Sequence, residues 1–310
     1  MIISDKYLRE TRKKKVSDEM IKKDLALSYI LYEMSENIEK DKNSPFNKLI
    51  FKGWTLLSKS HLDYHRFSED LDFTFSENKI LNELSKTQKR KKIKQYLKMD
   101  FLPRFEKITE KYSFDFDSSE MNRETQKYCP IKAPFNLAKF YIYLDKNDQT
   151  PIRIEINFLD ELFFKPEKIK LKHLNSFSQN LIFPLRETEF DSYCIEEILI
   201  EKIRAILTRE ENIHERDIFD LFLLKTLGYD FMKLDLDKIR LKIRQGIGFR
   251  QDKNKEIKKI KKIEEKFSRI EKEIEEEIKT MSLKDYDSQE YRKFFNELKE
   301  FLTKLDFSDL

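Results

Sequence analysis

Glycine is scarce in this chain, with only four among 310 residues. Loops that bind phosphate through their backbone usually concentrate glycine in a short stretch, and neither GxxxxGK[ST] nor GxGxxG occurs here. The sequence therefore indicates that any nucleotide is held by something other than a Gly-rich loop.

Cysteine is rarer still, and neither Cys129 nor Cys194 has a neighbour at CxxC spacing. The sequence has no run of about 18 apolar residues, which a membrane helix requires. Residues 1–15 are polar and charged, unlike a signal peptide. We therefore expect a cytoplasmic protein without membrane spans or disulfides. The histidines form no HxxxH or HExxH set, which argues against a zinc site: His61, His65, His173 and His214.

Charge is abundant but nearly balanced, with 62 basic and 58 acidic residues and a net charge of +4. A nucleic-acid surface would therefore depend on local clustering. One such cluster contains seven cations and no acid between residues 86 and 98. It is consistent with a solvated helix face and equally with contact to an RNA backbone. Its members are Lys86, Lys89, Arg90, Lys91, Lys92, Lys94 and Lys98.

The spacing of apolar residues predicts a mixed α/β region followed by a helical bundle, with a boundary near residue 190. We assign residues 1–190 to the first domain and 191–310 to the second. Predicted strands are 48–51, 68–75, 137–144 and 152–158, the last two antiparallel. Predicted helices are 17–38, 79–111 with a break at Pro103, 192–209, 214–227, a long amphipathic helix from 257, and 291–305.

Two aspartates on the strand 68–75 suggest chemistry. Alternation directs Leu71, Phe73 and Phe75 to one face and Asp70 with Asp72 to the other. Carboxylate oxygens at this spacing suit Mg²⁺, and two such ions can clamp the oxygens of a phosphoryl displacement. A solvent-facing pair on a half-exposed strand is the simpler explanation of two aspartates alone.

Three further features favour the metal-site interpretation. Gly53 permits a tight turn before the aspartates, and a helix beginning near Thr55 offers N–H groups and a hydroxyl to a triphosphate. Glu155 provides a third carboxylate on the polar face of the strand 152–158. Both strands have an apolar face, so they can pack in one sheet.

The helix 192–209 has two cations on an otherwise apolar stripe, Lys202 and Arg209. A lysine there is costly unless it is paired or reaches a site. These side chains can snorkel to the domain edge. Alternatively, Asp217 and Asp220 of the following helix pair with them or position a base or ribose.

The motifs resemble one known family. FKGWTLL at residues 51–57 and RFSEDLDF at 66–73 look like KGGTAL and RFSxDLDF of the AbiEii/AbiGii nucleotidyltransferase toxins. EKIRA at 201–205 and RDIFDL at 216–221 look like the later signature of that family. The resemblance spans residues 45–225, with four motifs in the family's order. Trp54 departs from the usual glycine or serine, which would alter triphosphate affinity or nucleotide choice.

The resemblance implies an α+β protein: a polymerase-β-like nucleotidyltransferase core followed by the helical bundle. It implies that Mg²⁺, or Mn²⁺, and an NTP are used, and that the chain is a toxin of a toxin–antitoxin or phage-defence pair, with a tRNA 3′ end as acceptor and a cognate antitoxin as partner. Predicted catalytic residues are Asp70, Asp72, Glu155, Lys202 and Asp217, the first three as metal ligands. Predicted nucleotide-binding residues are Lys52, Gly53, Trp54, Thr55, Arg66, Ser68, Arg209 and Asp220.

Two other functions fit the same residues. One is transfer of the nucleotide to a protein or a small molecule. The other is an inactive module that keeps the fold and binds nucleic acid. Three carboxylates argue against an inactive module, and the basic run favours RNA over a small acceptor.

Overall fold

The computed structural model describes residues 17–62, 67–116, 128–129, 137–146, 148, 150–173, 185–208, 213–248, 257, 260, 262–270 and 286–305. The chain divides into two compact units. The first comprises Met1–Glu161 with Pro166–Tyr193, and the second comprises Leu162–Lys165 with Cys194–Leu310.

The first unit is an α+β structure built on a mixed sheet. Its described helices are α1 (Asp18–Lys40), α2 (Gly53–Ser60), α3 (Asn78–Glu83), α4 (Lys86–Tyr96) and α5 (Leu102–Tyr112). Its described strands are β1 (Leu49–Lys52), β2 (Asp70–Phe75), β3 (Tyr128–Cys129), β4 (Leu137–Ile142), β5 (Ile152–Asn157), β6 (Glu167–Leu171) and β7 (Thr188–Ser192).

Within the described residues these strands form one sheet in the order β3-β4-β5-β2-β1-β7-β6. Strand β2 lies in the middle, antiparallel to β1 and parallel to β5. Strands β4 and β5 form the antiparallel hairpin that the sequence predicted. The apolar face includes Leu71, Phe73 and Ile154, all fully buried. Alternation in β2 and β5 thus directs one face inward, as expected.

Aromatic packing on this face comes from the segment that leads into α5. Phe101 packs edge-on against Phe75 and Phe158, and Phe105 lies 4.9 Å from Phe140 between ring centroids. Leu97–Phe101 forms a π-helical turn immediately before α5. Pro103 lies in the first turn of α5, where its missing N–H is tolerated. The sequence predicted a break or kink at Pro103. The chain is helical without a gap from Lys86 to Tyr112, and it changes from π- to α-helix just before Pro103. The interruption of the predicted helix 79–111 lies at residues 84–85.

The second unit consists of helices in its described residues. These are α6 (Ile195–Thr208), α7 (Glu215–Thr226), α8 (Leu236–Gly248), α9 (Ile263–Ile270) and α10 (Ser288–Thr303). Aromatic residues hold α7 to α10: Phe222 contacts Tyr291 and Phe294 edge-on, at 5.2 and 5.6 Å. None of the helices among the described residues is long and apolar enough to cross a membrane.

Several boundaries differ from the sequence prediction. Ser192 ends strand β7 instead of starting a helix, and α6 begins at Ile195. Strands β6 and β7 and helix α8 were not predicted. For the long helix expected from residue 257, α9 confirms part of the apolar stripe, with Ile260, Ile263, Phe267 and Ile270 buried. Ile274 and Ile278 lie outside the described residues.

Candidate active site

The candidate carboxylates lie on neighbouring parallel strands. In the register of β2 with β5, Asp70 is opposite Arg153 and Asp72 is opposite Glu155. Residues opposite each other in a sheet project from the same face, so all three carboxylates share one face. The buried residues Leu71 and Ile154 occupy the other face. The polar face of β2 and β5 therefore presents three carboxylates at adjacent positions.

Two lysines extend this polar row across four strands. Lys52 of β1 is opposite Asp72, and Lys139 of β4 is opposite Glu155. The order across the sheet is therefore Lys139, Glu155, Asp72 and Lys52. Two negative charges lie side by side between two positive charges.

Two cations of the sheet pair with carboxylates of this face. Arg153 forms a bidentate ion pair with Asp70, in which Nε donates to Oδ1 at 2.7 Å and Nη2 donates to Oδ2 at 2.6 Å. These hydrogen bonds raise the pKa of Arg153. Lys139 donates to Glu155 through its ammonium, with a single contact to Oε1. The negative charge of this face is thus partly compensated by residues of the sheet itself.

The three carboxylates fit a divalent cation in chemistry and in strand position. Hard cations such as Mg²⁺ prefer carboxylate oxygens, and Asp72 and Glu155 are direct neighbours in the register. Within the described ranges, however, no three His, Cys, Asp or Glu side chains converge closely enough to hold a metal ion. Asp70 is instead paired with Arg153, and Glu155 with Lys139.

Gly53 forms the tight turn between β1 and α2, with a backbone φ of 81° that favours glycine. A Cβ added to Gly53 would lie only 2.3 Å from Oδ2 of Asp72. The Asp72 carboxylate therefore rests directly against the backbone of the turn. Lys52, at the N-cap of α2, makes no side-chain capping hydrogen bond.

The residues after the turn face inward. Thr55 is buried, and its hydroxyl donates to the backbone carbonyl of Asp70, which ties α2 to β2. In this structure that hydroxyl is therefore not presented to a ligand. Trp54 is also buried, so the indole does not project from the turn into solvent. Ser68 accepts a hydrogen bond from the backbone N–H of Asp70 at 3.4 Å.

Lys52 has two neighbours that the sequence did not single out. Its ammonium lies 3.6 Å from Oδ2 of the buried Asp160 and 5.5 Å from the ring centroid of Tyr193. Tyr193 in turn shares a 2.6 Å hydrogen bond with Thr74, which is buried although it follows Asp72 on the polar face. A signal for Asp160 was present in the sequence: an acid two residues after the apolar end of a strand, at Phe158.

The second unit contains its own charged cluster, formed by Lys202, Asp217 and Asp220. The Lys202 ammonium on α6 donates to Asp217 at 3.0 Å and to Asp220, both on α7. Asp220 is fully buried and Lys202 is 13% exposed. Of the interpretations open from the sequence, the structure shows the pairing of Lys202 with these two carboxylates. Arg209, like Arg66 of the first unit, lies outside the described residues.

A second buried lysine of this unit was missed from the sequence. Lys242 of α8 pairs with Glu197 at 2.8 Å and Glu201 at 3.0 Å, both on α6. Glu197 also accepts hydrogen bonds from the backbone N–H groups of Phe163 and Phe164. This network fastens α8 and residues 162–165 to α6.

Three of the four histidines lie within the described residues, each in a different setting. His173 is buried against the hydroxyl of Thr188, and burial lowers its pKa to about 3. Burial also lowers the pKa of His61. His214 is the N-cap residue of α7, and His65 lies outside the described residues.

Helix α4 presents the basic run to solvent. Lys86, Arg90, Lys91, Lys92 and Lys94 are exposed, whereas Lys89 is half-buried. The fully buried Ile93 anchors the helix to the first unit. The run is therefore a solvent-facing basic surface, as both interpretations of the sequence required.

Comparison with known proteins identifies the family. The family model described as "Nucleotidyl transferase AbiEii toxin, Type IV TA system" matches residues 40–310. The chain belongs to the AbiEii family. This AbiEii protein is therefore a nucleotidyltransferase toxin of the type IV toxin–antitoxin class, and membership implies an NTP substrate and a cognate antitoxin.

A solved structure supports the same fold for this AbiEii chain. MenT4, a nucleotidyltransferase toxin from Mycobacterium tuberculosis H37Rv, matches with a TM-score of 0.54 and 16% sequence identity. The match covers 93% of this chain and 85% of MenT4. No curated protein matches the sequence. The expected nucleotidyltransferase fold is thus confirmed.

Proposed function

We propose that this AbiEii chain transfers a nucleotide from an NTP to RNA, and that Asp70, Asp72 and Glu155 hold the divalent cation, Mg²⁺ or Mn²⁺, that the reaction needs. One observation carries the proposal. The three carboxylates occupy adjacent positions on one face of β2 and β5, and Asp72 rests against the Gly53 turn.

The carboxylates of this face and the Gly53 turn have proposed tasks. Divalent cations, when bound, would supply charge neutralisation at the phosphates and orientation of the attacking hydroxyl. Glu155 either completes the ligand set or accepts the proton of the acceptor hydroxyl. The turn at Gly53 brings backbone N–H groups of α2 close to Asp72, where a triphosphate can accept hydrogen bonds from them.

The RNA acceptor is proposed from the basic surface of α4. Exposed lysine and arginine side chains on one helix suit the phosphates of a nucleic-acid backbone, and the near balance of charge in the whole chain makes this local excess distinctive. A tRNA 3′ end as acceptor and a role in phage defence come from the family resemblance. We propose that the toxin acts in the cytoplasm, where NTPs and RNA are found.

Lys202 stays a predicted contact of the triphosphate. A lysine ammonium in contact with the triphosphate would stabilise the negative charge that builds up on the leaving group. Its pairing with Asp217 and Asp220 would hold the ammonium in a fixed position, and Arg209 and Arg66 remain predicted phosphate contacts.

The test is a transfer assay with purified protein, Mg²⁺, total RNA and each labelled NTP in turn. We expect label in RNA with the parent protein and none with Asp72→Asn. Glu189→Gln, which removes an exposed carboxylate of β7 in the same unit, serves as the control and should keep full activity.

The other outcomes separate the alternative functions. Label in the protein fraction or in a small molecule, with RNA unlabelled, would replace the proposed acceptor. Activity retained in Asp72→Asn would remove the metal-site assignment. Absence of transfer with every NTP and acceptor fraction would favour the inactive module.

A further inference from the structure

Arg153 was not among the residues predicted from the sequence, yet it makes the most specific contact on the polar face. Its guanidinium binds both oxygens of Asp70 in a bidentate arrangement, with contacts of 2.7 and 2.6 Å. Planar fork-to-fork pairing of this kind is the strongest geometry available to an arginine and a carboxylate. Both oxygens of a proposed metal ligand are therefore already engaged.

The pair lies near solvent, with 42% of the Arg153 side chain and 27% of the Asp70 side chain exposed. This partial exposure allows the pair to exchange despite its bidentate geometry, because water can solvate either partner after separation. A buried pair would instead resist separation, since each charge would be left desolvated. The exposure of Arg153 therefore suits a reversible contact better than a permanent structural one.

We infer that Arg153 is an exchangeable counter-ion of Asp70. While paired, it occupies both oxygens that a divalent cation needs, and so it competes with that cation. Once released from Asp70, its five N–H donors lie beside the polar face, where they can turn to the phosphate oxygens of a bound NTP.

This inference rests on the proposed function, because it assumes that Asp70 is a metal ligand and that an NTP binds at the same face. It predicts opposite effects on the two ligands. Loss of Arg153 removes a competitor of the metal and also removes a donor to the triphosphate. A residue with a merely structural role would not shift the two affinities in opposite directions.

The first experiment measures Mn²⁺ binding by electron paramagnetic resonance, without nucleotide, in the parent and in Arg153→Gln. We expect the variant to bind Mn²⁺ on the order of 5-fold more tightly, the scale set by losing a partly exposed ion pair. Lys168→Gln is the matched control, since it removes one exposed positive charge from the same unit, at an ion pair with Glu189. If Mn²⁺ affinity rises equally in both variants, the effect comes from the change in net charge and the inference is overturned.

The second experiment measures binding of each of the four NTPs by calorimetry, with Ca²⁺ in place of Mg²⁺ to suppress turnover. We expect affinity for the accepted NTP to fall about 10-fold in Arg153→Gln, the effect of removing a charge-assisted contact. Unchanged NTP affinity would show that Arg153, once released from Asp70, does not contact the triphosphate, and would overturn this part of the inference. Arg153→Lys keeps the charge without the fork and should shift both affinities in the same directions by less, which preserves the test if the glutamine variant does not fold.

Failure of the proposed function would look different. If no NTP is transferred by the parent protein but Mn²⁺ binding tightens in Arg153→Gln alone, the counter-ion role stands and the transfer reaction is wrong. If transfer occurs and Mn²⁺ binding is unchanged in Arg153→Gln, the reaction stands and the counter-ion role is wrong.

Discussion

At the scale of single residues, Gly53 meets two separate requirements. Its φ of 81° is a conformation that L side chains rarely adopt, and its missing Cβ leaves room for the Asp72 carboxylate. Gly228 meets only the first, because its φ is 91° and no atom lies within 4 Å of a Cβ built there. Substitutions at these two glycines therefore separate the effect of backbone strain, present at both, from a clash with Asp72, present only at Gly53.

We predict that Gly53→Ala abolishes transfer, whereas Gly228→Ala leaves it unchanged. Each variant should lose about 1 kcal/mol of unfolding free energy through left-handed backbone strain, and Gly53→Ala should lose more because Asp72 must move. Turnover and urea denaturation of both variants check this. Equal activity in the two variants would show that Asp72 can shift without consequence for the reaction.

Lys202 needs a control for the structural cost of its removal. Lys242 provides one, because it is also a lysine of the second unit that pairs with two carboxylates, Glu197 and Glu201. Removing either lysine takes a cation from buried acids, which costs about 3 kcal/mol. Stability alone therefore cannot distinguish a structural lysine from one that contacts substrate.

We predict that Lys202→Met lowers turnover by roughly 100- to 1,000-fold, the usual effect of losing one electrostatic donor. Lys242→Met should lower it only in proportion to the fraction that unfolds. Both are measured at a temperature where circular dichroism shows the variants folded. A Lys202→Met protein that turns over like Lys242→Met would assign Lys202 to the helix–helix contact alone.

At the scale of elements, α4 is the place where charge and exposure coincide. Its capping box, formed by Ser85 and Gln88, fixes where the helix begins, and the buried Ile93 fixes which side faces inward. The cations are therefore held outward by a rigid element. That arrangement suits contact with a phosphate backbone, because phosphate contacts position a protein on a nucleic acid without reading its sequence.

We predict that the quadruple variant Lys89→Gln, Arg90→Gln, Lys91→Gln and Lys92→Gln weakens RNA binding and flattens the slope of log K against log[salt] by roughly 2 to 3. Glutamine keeps helix propensity close to that of lysine. NTP affinity should not change. Filter binding at several salt concentrations provides the measurement.

The matched control removes the same charge elsewhere in the first unit. It replaces four exposed lysines with glutamine: Lys146, Lys168, Lys170 and Lys172. If both quadruple variants flatten the salt slope equally, RNA binding depends on net charge and α4 is an ordinary solvated face.

Elements with strict alternation were predictable from the sequence, and the others were not. In β2 and β5 every buried position is apolar up to Phe73 and Ile156, so the pattern is plain. In β7 the buried positions include Thr188 and Ser192, and a serine before an apolar run also resembles a helix cap. Local pattern could not separate these two structures, because tertiary burial decided between them.

The candidate site was predictable in its carboxylates and in Lys52, but not in Arg153 or Lys139. Asp70, Asp72 and Glu155 were recognisable because each occupies a polar position of a strand in which polar and apolar residues alternate. The contact of Arg153 with Asp70 depends on the register between β2 and β5, which are joined by no short turn. Register between distant strands is set by packing of the whole sheet, so the sequence alone carried no signal for it.

At the scale of the whole molecule, each unit contains ion pairs at two depths. In the first unit Arg153 pairs with Asp70 near solvent, whereas Lys59 pairs with Asp24 in the interior. The second unit also has both kinds, buried at Lys242 and exposed at Lys304. Exposed pairs exchange partners readily and buried pairs do not. Depth therefore distinguishes the exchangeable pair of the candidate site from the pairs that fix geometry within each unit.

The parallel pairing of β2 with β5 also has a consequence for the synthesis of the protein on the ribosome. Asp70 and Arg153 are 83 residues apart in the chain. A ribosome that adds about 5 to 20 residues per second needs about 4 to 17 s to travel between them. Until β5 emerges, Asp72 lacks the neighbouring glutamate and Asp70 lacks its arginine partner. The proposed metal-binding face therefore cannot form before the first 157 of the 310 residues have been made, and a cell that makes the antitoxin alongside has at least that interval before an active molecule can exist.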